Sequence, residues 1–143
     1  KAMAYHRRNM RKKKNLKDRL DKVFSEYIRL KNANDMGFCR CVTCGKWYHW
    51  RKIQNGHYMS RRFMATRYSE MNCHHQCMPC NVMQHGNIPQ YRMWLVEHYG
   101  EEAVSRLEFA AMNKVVKISD FEYSEMLDFY TKLVKALKNG KGN

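Results

Sequence analysis

The sequence predicts a mostly helical α+β fold, with a small metal-organised core between an N-terminal helix and a set of C-terminal helices. Three observations carry that expectation. Apolar residues recur at three- and four-residue steps before residue 38 and again beyond residue 88. All six cysteines and five of the seven histidines fall between those stretches. That middle region has few long apolar runs and could not assemble a large core by burial alone, so a metal is its natural organiser. At 143 residues the chain is long enough for one domain and too short for two ordinary ones.

Residues 1–14 carry Arg7, Arg8, Arg11, Lys12, Lys13 and Lys14 and are expected as a basic flexible arm, ahead of a single domain over 15–143. A helix is expected from Asn15 as N-cap, with Leu16, Leu20, Val23, Phe24, Tyr27, Ile28 and Leu30 on its apolar face. Asn34-Asp35-Met36-Gly37 is its stop signal. The metal core occupies 38–88 and the helical C-terminal part 89–143. There Gln90–Tyr99 ends at Gly100, Glu101–Asn113 follows, and Asp120–Asn139 opens behind Ser119. In that last helix Phe121, Met126, Phe129, Leu133 and Leu137 read as a core or interface stripe.

Charge gives the first functional direction. Lys and Arg number 27 against 13 Asp and Glu, a formal charge of +14. Such an excess strains a compact fold by self-repulsion and points to a polyanion, DNA or RNA, as partner. No apolar run is long enough to span a bilayer, and no basic stretch joins a clean apolar helical face, so no membrane partner is expected. The basic start lacks the apolar segment of a secretory signal. Six cysteines without a signal suggest metal ligation in a reducing cytoplasm rather than disulfides.

Cys41-Val-Thr-Cys44-Gly45 has the shape of a zinc knuckle, and Cys77-Met-Pro-Cys80 is a second pair. Two thiolates separated by two residues grip one ion from a tight turn, and two pairs complete a closed, tetrahedral, structural Zn²⁺ site. Cys39 and Cys73 are expected to be small buried side chains outside it.

Between and after the pairs stand His57, Asn72, Asn81 and His85, spaced by fifteen, nine and four residues. In this order the sequence resembles the HNH endonucleases, whose ββα-metal core carries a general-base histidine on a β-hairpin. The resemblance implies that His57 is the base, that Asn72 braces loop and base, and that a short helix after the second pair supplies metal ligands. Phosphodiester hydrolysis needs a proton acceptor titrating near neutrality and a hard cation, Mg²⁺ or Mn²⁺, on the scissile phosphate. The amide oxygen of Asn81 suits that cation, and His85, one helical turn on, would share its face. Many members carry Asp or His just before the base as a further ligand; this chain has Gly56. His74, His75, Asn55, an acidic residue brought in by the fold, or water are the candidates to compensate.

A narrower resemblance covers residues 16 to 100. Its segments include Leu20-Asp21-Lys22-Val23-Phe24, Cys39-Arg40-Cys41-Val42-Thr43-Cys44-Gly45, Gly56-His57-Tyr58-Met59-Ser60-Arg61-Arg62, Thr66-Arg67-Tyr68, Asn72-Cys73-His74 and Cys80-Asn81. These resemble the phage lambda NinG/Rap recombination nuclease family, in which Gly56 is expected. The resemblance implies a structure-selective endonuclease cleaving Holliday junctions and D-loops in the cytoplasm of an infected bacterial host. Branch selectivity would come from basic surfaces reading backbone geometry, and Arg61, Arg62 and Arg67 are the first phosphate-contact candidates. A four-way junction has approximate two-fold symmetry, which suits a homodimer. Two alternatives remain: an HNH nicking or homing-type enzyme on linear duplex, and a zinc-ribbon nucleic-acid-binding protein without activity.

Overall fold

The computed structural model describes residues 1–140. Its first element, α1 (Ala2–Lys31), has two unlike halves. In the second half Leu20, Phe24, Ile28 and Leu30 are buried, with Leu16, Val23 and Tyr27 packed beside them, as the periodicity requires. The first half departs from expectation. The stretch expected as a flexible arm is helix from Ala2, and Asn15 lies inside it rather than capping it. Every residue from 1 to 15 is exposed. Ala, Met, Arg and Lys are strong helix formers, and a helix already packed at one end extends without a second nucleation cost. Asn34 Oδ1 accepts from the backbone N–H groups of Met36 and Phe38, and Gly37 takes φ 87°, turning the chain at the expected stop.

Two small antiparallel sheets follow. The first joins β1 (Phe38–Arg40) to β2 (Trp47–His49), and the second joins β3 (Gln54–His57) to β4 (Cys73–Gln76). In the second, Gly56 faces His74 and His57 faces Cys73. A short π-type turn, Pro79–Met83, succeeds β4. Then come α2 (Ile88–Tyr99), α3 (Glu101–Asn113) and α4 (Asp120–Lys138). Ser119 caps α4 in a reciprocal capping box with Glu122.

The buried face of α4 is set differently from the expected stripe. Tyr123, Tyr130 and Val134 are buried and Met126, Leu133 and Leu137 pack beside them, but Phe121 and Phe129 are exposed. That face lies along α1, where Phe24 meets Tyr130 edge-on at 5.0 Å between ring centroids. A separate cluster of Tyr58, Tyr91, Leu95, Val104 and Leu107 joins α2 and α3 to the loop after β3.

Candidate metal corner and polar cleft

The cysteine pairs converge as their spacing implies. The Sγ atoms of Cys41, Cys44, Cys77 and Cys80 all lie within 4.8 Å of one another. A tetrahedral ion with Zn–S bonds of about 2.3 Å sets its sulfurs about 3.8 Å apart. The Cys44–Cys77 separation is 3.7 Å, so the donor set fits a structural metal such as zinc. Burial raises the Cys41 thiol, but hydrogen bonds from Cys77, Thr43 and Cys44 outweigh it and hold that thiol below its ordinary range. Gly45, at φ 77°, permits the knuckle turn. Cys39 and Cys73 are buried outside the cluster, as expected.

Beside this corner lies a cleft of about 840 Å³. His57, Asn81 and His85 all line it, together with Gln54, Asn55 and Arg61. Residues far apart in sequence therefore meet here. The Asn81 Nδ2 donates to Gln54 Oε1 at 2.9 Å, leaving Asn81 Oδ1 as the amide's acceptor. His85 arrives by a different route from the helical spacing assumed above. The π-type turn stops at Met83, and His85, Gly86 and Asn87 take φ values of 51°, 91° and 47°.

His57 Nε2 lies 2.9 Å from the Arg67 carbonyl oxygen. Burial pushes its pKa down to about 4; the Arg67 carbonyl acts against that shift, and the Arg61 and Arg67 cations reinforce it. This departs from the near-neutral titration expected of the base. The ring is neutral at pH 7, with Nε2–H donating to Arg67 and Nδ1 unprotonated, but burial makes it a weaker proton acceptor than a free imidazole.

Asn72 is wholly buried and does not line the cleft. Its Oδ1 accepts from the Met59 N–H at 2.7 Å, and its Nδ2 donates to the carbonyls of Met59 and Thr66. It ties both ends of the loop after His57, while the His57 ring itself is held by the Arg67 carbonyl.

Of the three arginines proposed for phosphate, Arg61 lines the cleft and Arg62 is exposed. Arg67 is a correction. Its guanidinium is buried in a two-point pair with Asp21, Nε to Oδ1 at 2.9 Å, and Nη1 donates to the Arg61 carbonyl. Burial raises the Asp21 carboxyl, but the hydrogen bonds from Arg67 and Tyr68 hold it below its ordinary range.

Gly56 is occupied from across the sheet. A Cβ there would stand 2.8 Å from Gln76 Cβ and closer still to Gln76 Oε1. Among the side chains named as compensating ligands, Asn55 lines the cleft. His74 is drawn instead into an aromatic cluster, with Nδ1 3.2 Å from the Tyr91 hydroxyl and Nε2 2.9 Å from that of Tyr99. Tyr91 in turn donates to the Gly56 carbonyl at 2.7 Å. Asp21, Gln54, Gln76 and Tyr91 were not singled out from the sequence. Asp21 alone carried a local signal, as a carboxylate embedded in an apolar helical stripe.

Fold and site together define a basic, mostly helical α+β protein whose four-cysteine corner can hold a structural metal. The sequence model described as Bacteriophage Lambda NinG protein matches residues 1–140, and the chain belongs to that family. It is 35% identical to "Protein ninG" of Escherichia phage lambda over 69 residues, 48% of this chain and 33% of that one. "Protein ninG" of Salmonella phage P22 matches at 35% over 69 residues, 48% of this chain and 34% of the relative. That of Enterobacteria phage H19B is 39% identical over 54 residues, 37% and 27% of the two chains. The matched stretch thus spans about a third or less of these relatives' length. No solved structure matches the chain. Among the described residues, no helix is long and apolar enough to cross a membrane.

Proposed function

We propose that the chain is a metal-dependent endonuclease of the HNH type that cleaves branched DNA, with His57 as general base. The observation that carries this is the meeting of His57, Asn81 and His85 in one cleft beside the four-cysteine corner. The β3–β4 hairpin followed by the turn at Pro79–Met83 supports a ββα-metal arrangement. With Nε2–H committed to the Arg67 carbonyl, Nδ1 of His57 accepts the proton of a water whose oxygen attacks phosphorus, and the 3′-oxygen departs. Arg61 holds a phosphate in the cleft, and Arg62 meets the backbone beyond it.

A divalent cation bound by Asn81 Oδ1 and the His85 imidazole would neutralise charge on the phosphate and the leaving oxygen. An amide oxygen with an imidazole favours Mn²⁺ over Mg²⁺, since imidazole is a poor ligand for the harder ion. The buried faces of α1 and α4 pack on each other within one chain, with Phe121 and Phe129 left exposed. Substrate symmetry is then what carries the homodimer proposal.

The test compares a four-way junction with its linear arms in added Mn²⁺. Selective cleavage of the junction, lost by orders of magnitude in His57→Ala while binding persists, is the expected result. Equal cleavage of the linear arms would favour a nicking or homing-type enzyme. A second reading, a metal-built nucleic-acid-binding protein without activity, draws on two observations: Gln76 fills position 56, and the Asp21 carboxylate in the cleft is committed to Arg67. Junction binding without cleavage in any divalent ion would establish it.

A further inference from the structure

A second concavity, about 380 Å³, lies between the first half of α1 and the connector joining α3 to α4, its Lys17 one helical turn before Asp21 of the cleft. Lys13, Lys14 and Lys17 reach it from α1, and Lys117 reaches it from the connector. Met64, Val116, Ile118 and Tyr123 supply apolar surface between them. Among the described residues no carboxylate lines this groove, and none of the four lysines is ion-paired.

We propose that this groove binds a single-stranded nucleic-acid segment, with unpaired bases against the apolar floor and phosphates on the four lysines. The rim asks for a polyanion, because four unneutralised ammonium groups around one small cavity repel each other until an anion enters. The floor selects among polyanions. A duplex keeps its base faces stacked inside and offers phosphates and edges, so it leaves Met64 and Ile118 uncovered. An unpaired base presents a flat face that such a floor can bury. The groove has no Arg, Asn or Gln in its lining to read base edges, so binding is sequence-tolerant.

Its placement relates it to the cleft. Met64 belongs to the same loop as Arg61, and α1 lines both cavities. From Lys14 in the groove to Ser25 in the cleft is about 16 Å along the helix, at about 1.5 Å per residue. One strand of a fork can therefore sit in the groove while the adjoining duplex meets the cleft. The groove is a separate site, and its test reads binding alone, so it stands or falls independently of hydrolysis.

The test measures fluorescence anisotropy of a labelled oligothymidylate and of a blunt duplex, without added divalent ion. The variant carries Lys13→Gln, Lys14→Gln and Lys117→Gln; a control carries Lys46→Gln, Lys52→Gln and Lys135→Gln. The groove variant should bind oligothymidylate about tenfold more weakly, with its log–log salt slope reduced by about 2, close to 0.7 per lost phosphate contact. Duplex affinity and the control variant should change less than about twofold. Val116→Asp, on the exposed connector, should lower single-strand affinity in the same selective way. Equal losses for duplex, an equal loss in the control, no loss at all, or displacement by polyglutamate as effective as by unlabelled oligothymidylate would each overturn the proposal.

Discussion

The metal corner and the loop around His57 adjoin each other and are held by opposite means. At the corner, four sulfurs crowd within 4.8 Å, and the protein offers little besides a few N–H and hydroxyl donors to stabilise their charge. Around His57 the polar groups close on each other: Asn72 on Met59 and Thr66, Arg67 on Asp21, and His57 on the Arg67 carbonyl. One region is organised by an ion and the other by hydrogen bonds. Loss of metal and loss of a side chain should therefore damage the molecule separately.

Chelation should produce the largest effect. A structural zinc in a small domain contributes on the order of 10 kcal/mol, so a strong chelator, or Cys77→Ser with Cys80→Ser, should abolish the cooperative thermal transition of the corner. Survival of that transition would show that the corner holds itself together.

His57→Ala should leave the melting temperature nearly unchanged and lower junction cleavage by about 10²- to 10⁴-fold, the usual contribution of a general base. A comparable fall in stability would mean that His57 is part of the scaffold. Asn72→Ala removes three hydrogen bonds to Met59 and Thr66, of which the Thr66 carbonyl keeps the Ser69 N–H, and should cost about 2 kcal/mol in urea denaturation. Zinc content, measured by absorption spectroscopy, should not change; a parallel loss would merge the two regions into one. Gly56→Ala should cost about 2 kcal/mol by overpacking against Gln76, and adding Gln76→Ala should recover part of it.

The smallest expected effect is on pH. His57 is held near 4 by burial, and His74 is held near 3 by burial and by neighbouring cations. Both fall below the ordinary value of 6.5, so the unfolded chain takes up protons first. Stability is complete above pH 6.5 and declines as pH falls toward 4. Between pH 7 and pH 6 the two together should remove roughly 1 kcal/mol, read as a lower urea midpoint. Imidazole NMR signals that stay in the neutral position at pH 5.5 would check the cause directly.

Much of the fold was legible because its signals are local. The span Glu101–Asn113 and the Ser119 cap of α4 need only neighbouring residues to specify them. The two cysteine pairs carry their geometry in their spacing. Other features depend on distant partners. Arg67 looked like a phosphate contact because its carboxylate, Asp21, lies 46 residues away. The turn of α4 that faces inward is decided by α1, so Phe121 and Phe129 pass for core until the two helices are laid together. The start of α1 misled differently: a run of like charges suggests disorder, yet its residues favour helix once the packed half exists. For the cleft, order and spacing together with the family resemblance grouped His57, Asn81 and His85, which line one cleft, while the restraint of His57 by Arg67 was not legible.

Gln76 links two positions that a comparison of relatives would treat as independent. Its Oε1 and Cβ fill the space beside Gly56, and its Nε2 donates to the Gly86 carbonyl at 2.6 Å, next to His85. A lineage that introduced a carboxylate at 56 would first have to shorten Gln76, and shortening Gln76 would release the turn that presents His85. Each single step leads through a poorer protein. Positions 56, 76 and 85 are therefore mechanically coupled, and the cost of a side chain at 56 depends on what stands at 76.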